Sequence, residues 1–279
     1  MITPKKLLKL LKKNRISFFT GVPDSVLKNF TTLLKNFDSK NHITSVNEGS
    51  AISIGIGYYL SSRKIPCIYM QNSGLSNAIN PLISIAHKGV YSIPLLLLIG
   101  WRGSPGSNDE PQHLIKGKIT EKILKLLGIK YKIINNDKDL HKIKSLINLS
   151  KKTNAPVACL FKKNVLDKKK KPLNKKIEKI TKNSILRSQV IREILCSISK
   201  NTRIVSTTGY TSRELYQIRK EEKYKKGKDF YMIGGMGHSS SVALGITLKN
   251  KKKVICLDGD GSMLMHLGSL HTSGLMNKK

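Results

Sequence analysis

The residues best placed to do chemistry in this chain sit at breaks between short apolar runs and helical segments. Val254 to Leu257 reads as a buried strand, Asp258-Gly-Asp-Gly-Ser262 interrupts it, and Met263 to Met276 has helical apolar spacing. A carboxylate on a glycine-rich strand-to-helix turn can hold a divalent cation beside phosphate oxygens. Glycine lets the backbone approach, the helix N-terminus favours anions, and Asp260 offers a hard oxygen ligand. The same five residues also make an ordinary turn, and the motif alone leaves both readings open. Glu48 stands at a second such junction. It is either an N-terminal carboxylate stabilised by the helix dipole or a buried acid that hydrogen-bonds a heterocycle nitrogen. Gly49, Ser50, Ala51, Ser53, Gly55 and Gly57 favour the second reading, because they give its helix a face able to pack closely.

The elements that must position these residues alternate along the chain. Strands are expected at Ile16–Thr20, His42–Val46, Pro66–Met70, Ile93–Ile99, Tyr131–Ile134 and Val157–Phe161. Helices are expected at Val26–Leu34, Glu48–Tyr59, Leu75–His87, Ile119–Leu127 and Leu140–Leu149, with a polar loop from Gly100 to about His113. Leu95 to Leu98 leaves no polar face, as in a strand buried on both sides. This predicts a doubly wound α/β domain over residues 1–162 with a mostly parallel sheet. Residues 163–183 read as a basic linker; Lys162 to Lys182 holds ten lysines and Pro172 without an apolar period. A second α/β alternation fills 184–279: helices at Ser184–Ile198, Thr211–Ile218 and His238–Leu248, strands at Arg203–Ser206 and Phe230–Ile233, then the Asp260 turn. Ligands of such sheets bind at the carboxyl ends of strands. Gly21–Ser25, Asn47–Ser50, Gln71–Asn77, Gly100–His113, Thr207–Ser212, Gly234–Ser239 and Asp258–Ser262 all lie there.

Composition narrows the classes. The chain has 279 residues, a hydrophobic fraction of 39% and a net charge of +34. Its lysines are scattered over nearly every helix and are not interleaved with aromatics, which make up 6% of residues. That pattern points to solvated faces and sequence-blind polyanion binding at low salt, with no specific nucleic-acid partner. The N-terminal segment through Lys13 reads as a basic amphipathic helix without a signal-peptide core, and no apolar run has the length of a membrane span. A cytoplasmic protein without a membrane partner is expected. Cys67, Cys159, Cys196 and Cys256 are expected as buried, reduced thiols.

Several segments together carry a family likeness: Gly21-Val-Pro-Asp-Ser25, Asn47-Glu-Gly49, the stretch from Tyr69 to Pro81, the stretch from Tyr91 through Trp101-Arg-Gly103, Asp109-Glu-Pro-Gln-His113, Thr208 to Leu215, Gly234-Gly-Met-Gly-His-Ser-Ser240 and Asp258 to Ser262. On them the chain resembles thiamine-diphosphate-dependent 2-oxoacid decarboxylases and, within these, the phosphonopyruvate decarboxylase group. The Trp-Arg-Gly and Asp-Glu-Pro-Gln-His segments belong to that group. Glu48 and the Gly-Asp-Gly turn belong to the whole superfamily.

The resemblance implies a pyrimidine-binding first domain and a diphosphate-binding second domain, with thiamine diphosphate and Mg2+ as cofactors. Glu48 would hydrogen-bond the aminopyrimidine and favour its imino tautomer, which requires an acid in a dry site that raises its pKa. Met236 would hold the cofactor bent. Asp260 would ligate Mg2+. Thr211, Ser212, Gly237, His238, Gly261 and Ser262 would bind the diphosphate side. Asp24 and His113 would be the proton-transfer groups, and Arg102 would bind the substrate's phosphonate. Sulfopyruvate is the rival substrate, since a sulfonate presents a similar oxygen tripod. The cofactor of the superfamily lies between two subunits, which implies a homo-oligomer of at least two chains. In the superfamily an asparagine beyond the metal turn completes the metal site. By spacing it would lie past Lys279, so the second domain is expected to be incomplete, with poor metal affinity, weak or absent catalysis by this chain alone, and a catalytically inactive remnant as the alternative.

Overall fold

The computed structural model describes residues 1–167, 185–199, 201–224, 227–248 and 253–276. The chain forms two compact units, Met1–Lys170 and Lys171–Lys279.

In the first unit six parallel strands, β1 (Phe19–Gly21), β2 (His42–Thr44), β3 (Cys67–Gln71), β4 (Leu96–Trp101), β5 (Lys130–Ile134) and β6 (Val157–Lys162), lie in the order β2-β1-β3-β4-β6-β5. Successive side chains of a strand point to opposite faces, and the sheet's two cores follow that alternation. Phe19, Cys67, Tyr69, Leu96, Leu98, Cys159 and Phe161 face the helices α1 (Pro4–Lys13), α2 (Lys28–Leu34) and α6 (Leu140–Thr153). Ile68, Met70, Leu97, Ile99, Ala158 and Leu160 face α3 (Glu48–Ser62), α4 (Leu75–Pro81) and α5 (Pro111–Leu126). β4 is buried along its whole length. The basic N-terminal segment is α1; Thr3 caps it, and Leu7 and Leu11 bury one face while the lysines stay outside. Pro81 cannot donate to the carbonyl four residues back, and α4 continues as a wider π turn from Leu82 to Ala86.

The second unit has three parallel strands, β7 (Arg203–Ser206), β8 (Lys228–Tyr231) and β9 (Val254–Leu257), in the order β8-β7-β9. Ile204 packs with Ile191 and Leu195 of α7 (Arg187–Ser197) and Leu215 and Ile218 of α8 (Tyr210–Ile218). On the other face Val205 packs with Met232 and with Ala243 of α9 (Ser239–Thr247). Two short helices, α10 (Asp260–Met265) and α11 (Ser269–Met276), follow β9.

Several element bounds move by a few residues, among them the strand expected at Phe230–Ile233, which is Lys228–Tyr231, and four expectations change in kind. The helix predicted from Met263 is two helices, because His266-Leu-Gly268 breaks it, and the first begins at Asp260. The loop expected through His113 ends at Glu110; Pro111, a favoured first helical residue, starts α5, and His113 lies in its first turn. Cys67 and Cys159 are buried, but Cys196 is exposed and Cys256 only half-buried. The segment read as a linker begins inside the first unit: Val165 and Leu166 are core residues, and Leu166 bridges Ile2. Residues 168–183 of that segment lie outside the described residues.

Candidate active site

In the first unit the chain moves from β1 outward to β2 and then returns to β3 on the other side of β1. The carboxyl ends of β1 and β3 therefore flank a topological switch point, where open α/β sheets bind ligands. Glu48 is the first residue of α3. Asn47 precedes it in an extended conformation and accepts from Ser50 N–H at 2.8 Å, so the helix start is fixed at that residue. The Glu48 side chain is buried, 5% exposed, and its Oε2 accepts a hydrogen bond from Asn77 Nδ2 at 2.8 Å. A Cβ on Gly74 would lie 1.9 Å from Glu48 Oε1. Only glycine leaves room for the acid there.

Asp24 follows β1. Its carboxylate accepts from the N–H of Val26 at 3.0 Å and of Leu27 at 2.8 Å. A Cβ on Gly100 would fall 2.1 Å from its Oδ2. Burial pushes the Asp24 pKa up to about 6, against the pull of those backbone N–H groups and of the Arg102 charge.

Arg102, just after β4, spends one edge of its guanidinium on a carboxylate. Its Nε donates to Asp109 Oδ2 at 2.7 Å and its Nη2 to Asp109 Oδ1, while Nη1 reaches Ser25 Oγ at 3.2 Å. Asp109 also accepts from the N–H groups of Gly103 (3.0 Å) and Glu110 (2.9 Å). The Arg102 guanidinium, first of all, then holds the Asp109 carboxyl well below the usual carboxylate range. His113 lies on the same side of this loop, its Nε2 3.6 Å from Glu110 Oε2 and its buried Nδ1 without a hydrogen-bond partner among the described residues. Burial, followed by the Arg102 charge, lowers its pKa. Asn72 ties the floor together: its side chain bonds Arg102 N–H and C=O and Thr120 Oγ1 at 2.9–3.1 Å.

In the second unit the switch point lies between β7 and β9, and a small hydroxyl clamp spans it. Thr207 N–H donates to Leu257 C=O at 2.9 Å, Thr207 Oγ1 to Ser262 Oγ at 2.9 Å, and Gly237 N–H to the same Ser262 Oγ at 2.9 Å. Three strand-end loops therefore converge on one buried oxygen. Ser212 is used in the same way, donating to Thr207 C=O at 2.8 Å and meeting Ser206 Oγ at 2.7 Å. The hydroxyls of Ser212 and Ser262, expected to face a diphosphate, hold the cradle instead. What remains for an anion is the first-turn N–H groups of α8, with Thr211 buried beside them, and those of α9; in α10 the Gly261 N–H is taken by Asp260. Gly237 has φ +92°, and a Cβ there would sit 2.4 Å from His266 Cδ2; His266 stacks on His238 with ring centroids 4.6 Å apart. Met236 is 40% exposed and its Cε lies against Gly261.

This donor set fits a phosphate-bearing cofactor: two helix N-termini, of α8 and α9, at the carboxyl ends of one sheet's strands, glycine at the closest approach, and no acidic side chain on the first turn of either helix. For a metal the fit is one ligand. Asp260 is exposed, with one oxygen accepting from Gly261 N–H at 2.8 Å. Among the described residues no cluster of three His, Cys, Asp or Glu side chains surrounds it. Magnesium ordinarily completes its shell with phosphate oxygens and water, so one carboxylate beside a diphosphate is a workable partial set.

Sequence reasoning assigned no role to Asn77, Asp109 or Thr207. Asn77 and Asp109 lie in the quoted motifs, but their partners, Glu48 and Arg102, are fixed only by the fold.

Comparison with known proteins finds a domain of one enzyme family in each unit. Residues 3–123 match the thiamine pyrophosphate enzyme N-terminal TPP binding domain, and residues 206–279 match the thiamine pyrophosphate enzyme C-terminal TPP binding domain. The chain belongs to the thiamine pyrophosphate enzymes. Within that family it is similar to phosphonopyruvate decarboxylase of Streptomyces viridochromogenes, 32% identical over 93% of this chain and 66% of that protein. It is also similar to sulfopyruvate decarboxylase of Methanosarcina acetivorans, 28% identical over 95% of this chain and 70% of that protein. The sulfopyruvate decarboxylase subunit alpha of Methanococcus maripaludis is 33% identical over 55% of this chain and 90% of its own length. The chain thus spans 66% of the length of the Streptomyces relative.

Proposed function

We propose that the chain is a carboxy-lyase that converts 3-phosphonopyruvate to phosphonoacetaldehyde and CO2 with thiamine diphosphate and Mg2+, as a cytoplasmic homo-oligomer of at least two chains. The observation that carries the thiamine-diphosphate chemistry is the buried Glu48 carboxyl, held by Asn77 and given its space by Gly74; the substrate rests on the similarity to the Streptomyces phosphonopyruvate decarboxylase. The first unit is the pyrimidine-binding domain and the second the diphosphate-binding domain.

Thiamine diphosphate, when bound, supplies the electron sink that a 2-oxoacid needs to lose CO2. The chain's residues do the rest. Glu48 holds a hydrogen bond to the aminopyrimidine nitrogen from a site closed to water. The N–H groups opening α8, including those at Thr211 and Ser212, and those opening α9 after His238 would bind the diphosphate; the His238 and Gly261 N–H groups are spent on Gly235 C=O and Asp260 Oδ1 and shape the turns beside it, and the Ser262 hydroxyl keeps Gly237 and Thr207 in register for it. Met236 shapes the cofactor's conformation, and Asp260 gives one oxygen to Mg2+. Asp24, with a pKa of about 6, is protonated in part near neutral pH and delivers the proton that replaces the departing carboxylate; His113 is the second group able to move it. Arg102 offers its Nη1 edge, beside Ser25 Oγ, to the substrate's terminal anion, its other edge being bound to Asp109.

A sulfopyruvate reading has support of its own in the similarity to sulfopyruvate decarboxylases. The test is CO2 release by the purified chain from each substrate, with thiamine diphosphate and Mg2+. Faster release from phosphonopyruvate supports the proposal, the reverse order favours sulfopyruvate, and release from neither overturns both substrate readings for this chain.

A further inference from the structure

We propose that Asp109 is a positioning residue that clasps the Arg102 guanidinium and so keeps it off the Asp24 carboxyl, leaving Asp24 free to carry a proton. This rests on the reading of Asp24 as proton donor. Three carboxylates act on Arg102: Asp109, Glu110 and Asp24. Asp109 takes its Nε and Nη2 edge in a two-bond fork, the geometry that fixes a guanidinium most firmly. The Asp109 carboxylate is itself pinned by Gly103 and Glu110 N–H, so the clasp is rigid from both sides. The remaining Nη1 edge meets Ser25, the residue next to Asp24. Asp24 keeps its two oxygens on the Val26 and Leu27 amides and against Gly100. Arg102 is the charged side chain acting on Asp24 among the described residues. Arg102 in turn is acted on by Asp109, Glu110 and Asp24, and His113 and Lys116 of α5 complete the charged groups around this loop.

Without the Asp109 charge the Nε/Nη2 fork loses its anchor, and the carboxylates left acting on Arg102 are Glu110 and Asp24, with the Nη1–Ser25 bond holding the guanidinium on the Asp24 side. An opposite charge in direct contact lowers a carboxyl pKa by about 1–3 units. The clasp therefore works through proton affinity, not through contact with substrate, and its signature is a titration.

The test uses the full chain labelled with [4-13C]aspartate, the Asp24 signal being the one lost in Asp24→Asn. In the wild type the Asp24 midpoint is expected near 6. In Asp109→Asn it is expected to fall by at least about 1 unit. Asp109→Glu, which keeps the charge, is expected to restore most of the shift. In Asp109→Asn/Arg102→Gln the fall disappears, because the migrating charge is gone. An unchanged midpoint in Asp109→Asn overturns the proposal, as does an equal fall in the double variant. If Asp109→Asn does not give a native amide spectrum, the wild type decides alone: a midpoint at or below the ordinary 3.8 means that Arg102 already sits on Asp24. None of these readouts needs turnover, so they stand or fall separately from the decarboxylase reading.

Discussion

Replacing Gly74 by alanine puts a methyl carbon 1.9 Å from Glu48 Oε1 and 2.1 Å from its Cδ. The backbone is not the obstacle, since φ −85° and ψ −6° suit alanine. The clash must be relieved by moving the carboxyl away from Asn77, 2.8 Å distant, or by shifting the turn that carries residue 74. Overpacking of this kind costs about 1–3 kcal/mol, and losing the Asn77 bond adds about 1 kcal/mol. The sum is about 3 kcal/mol, which for a unit of this size lowers the melting temperature by roughly 6–12 °C. Gly57 on the same α3 is the control: a Cβ there meets nothing within 4 Å. Alanine at that exposed helical position is expected to stabilise by about 0.5–1 kcal/mol. Scanning calorimetry of both variants, with thiamine diphosphate affinity measured alongside, checks the pair. Gly74→Ala should melt lower and bind the cofactor more weakly, and Gly57→Ala should melt slightly higher with unchanged affinity. Equal melting temperatures for Gly74→Ala and wild type would refute the idea that the Glu48 site depends on an absent side chain at 74.

Asp24 makes a pH prediction. Its folded-state pKa, about 6, exceeds the ordinary 3.8, so the folded state holds the proton longer than the unfolded one. Stability contributed at this site falls as pH rises between those values. Asp24→Asn should therefore gain on wild type across that window by up to about 3 kcal/mol, read from urea titrations at pH 4 and pH 7. In the second unit Asp229 accepts from Arg219 Nε and Nη2 and from Tyr231 Oη at 2.7–2.9 Å, with both ion-pair side chains nearly buried. Asp229→Ala takes this counter-charge from the nearly buried guanidinium, whose Nη1 keeps its bond to Tyr224 C=O, and should cost about 3–5 kcal/mol in thermal melts of the chain. Ser262→Ala removes the oxygen shared by Thr207 and Gly237. It should destabilise by about 1–3 kcal/mol and weaken cofactor binding measured by calorimetry.

The order of strands and helices was legible because it rests on local periodicity. Leu95 to Leu98 leaves no polar face and reads as a doubly buried strand, and Arg203–Ser206 has the bounds its apolar pair suggests. The placement of Glu48, Asp24 and Asp260 at strand ends was legible for the same reason, since a carboxylate followed by small residues marks a turn whichever way the strands are ordered. The failures have equally local causes or tertiary ones. Polar composition hid the start of α5 although Glu110-Pro111 carries the proline signal for it. Gly268 breaks the last helix where apolar spacing alone ran on. In α7 the buried stripe runs through Ile191 and Leu195, and Cys196 is one residue round the helix from it, on the solvent side. The Arg102–Asp109 fork and the inward use of the Ser212 and Ser262 hydroxyls depend on how loops from different strands meet, and no window of sequence contains that.

The measurement closest to the central claim is hydrogen–deuterium exchange at C2 of thiamine diphosphate bound to this chain, followed by quenched-flow NMR in wild type and Glu48→Gln. Glutamine keeps the shape and the hydrogen bond from Asn77 but cannot exchange a proton with the aminopyrimidine. If Glu48 is the cofactor-activating acid, wild type accelerates the exchange over free cofactor and Glu48→Gln, with the cofactor still bound, loses at least about 1.4 kcal/mol of that barrier lowering, a tenfold slower rate. Exchange as fast in Glu48→Gln as in wild type would contradict the account.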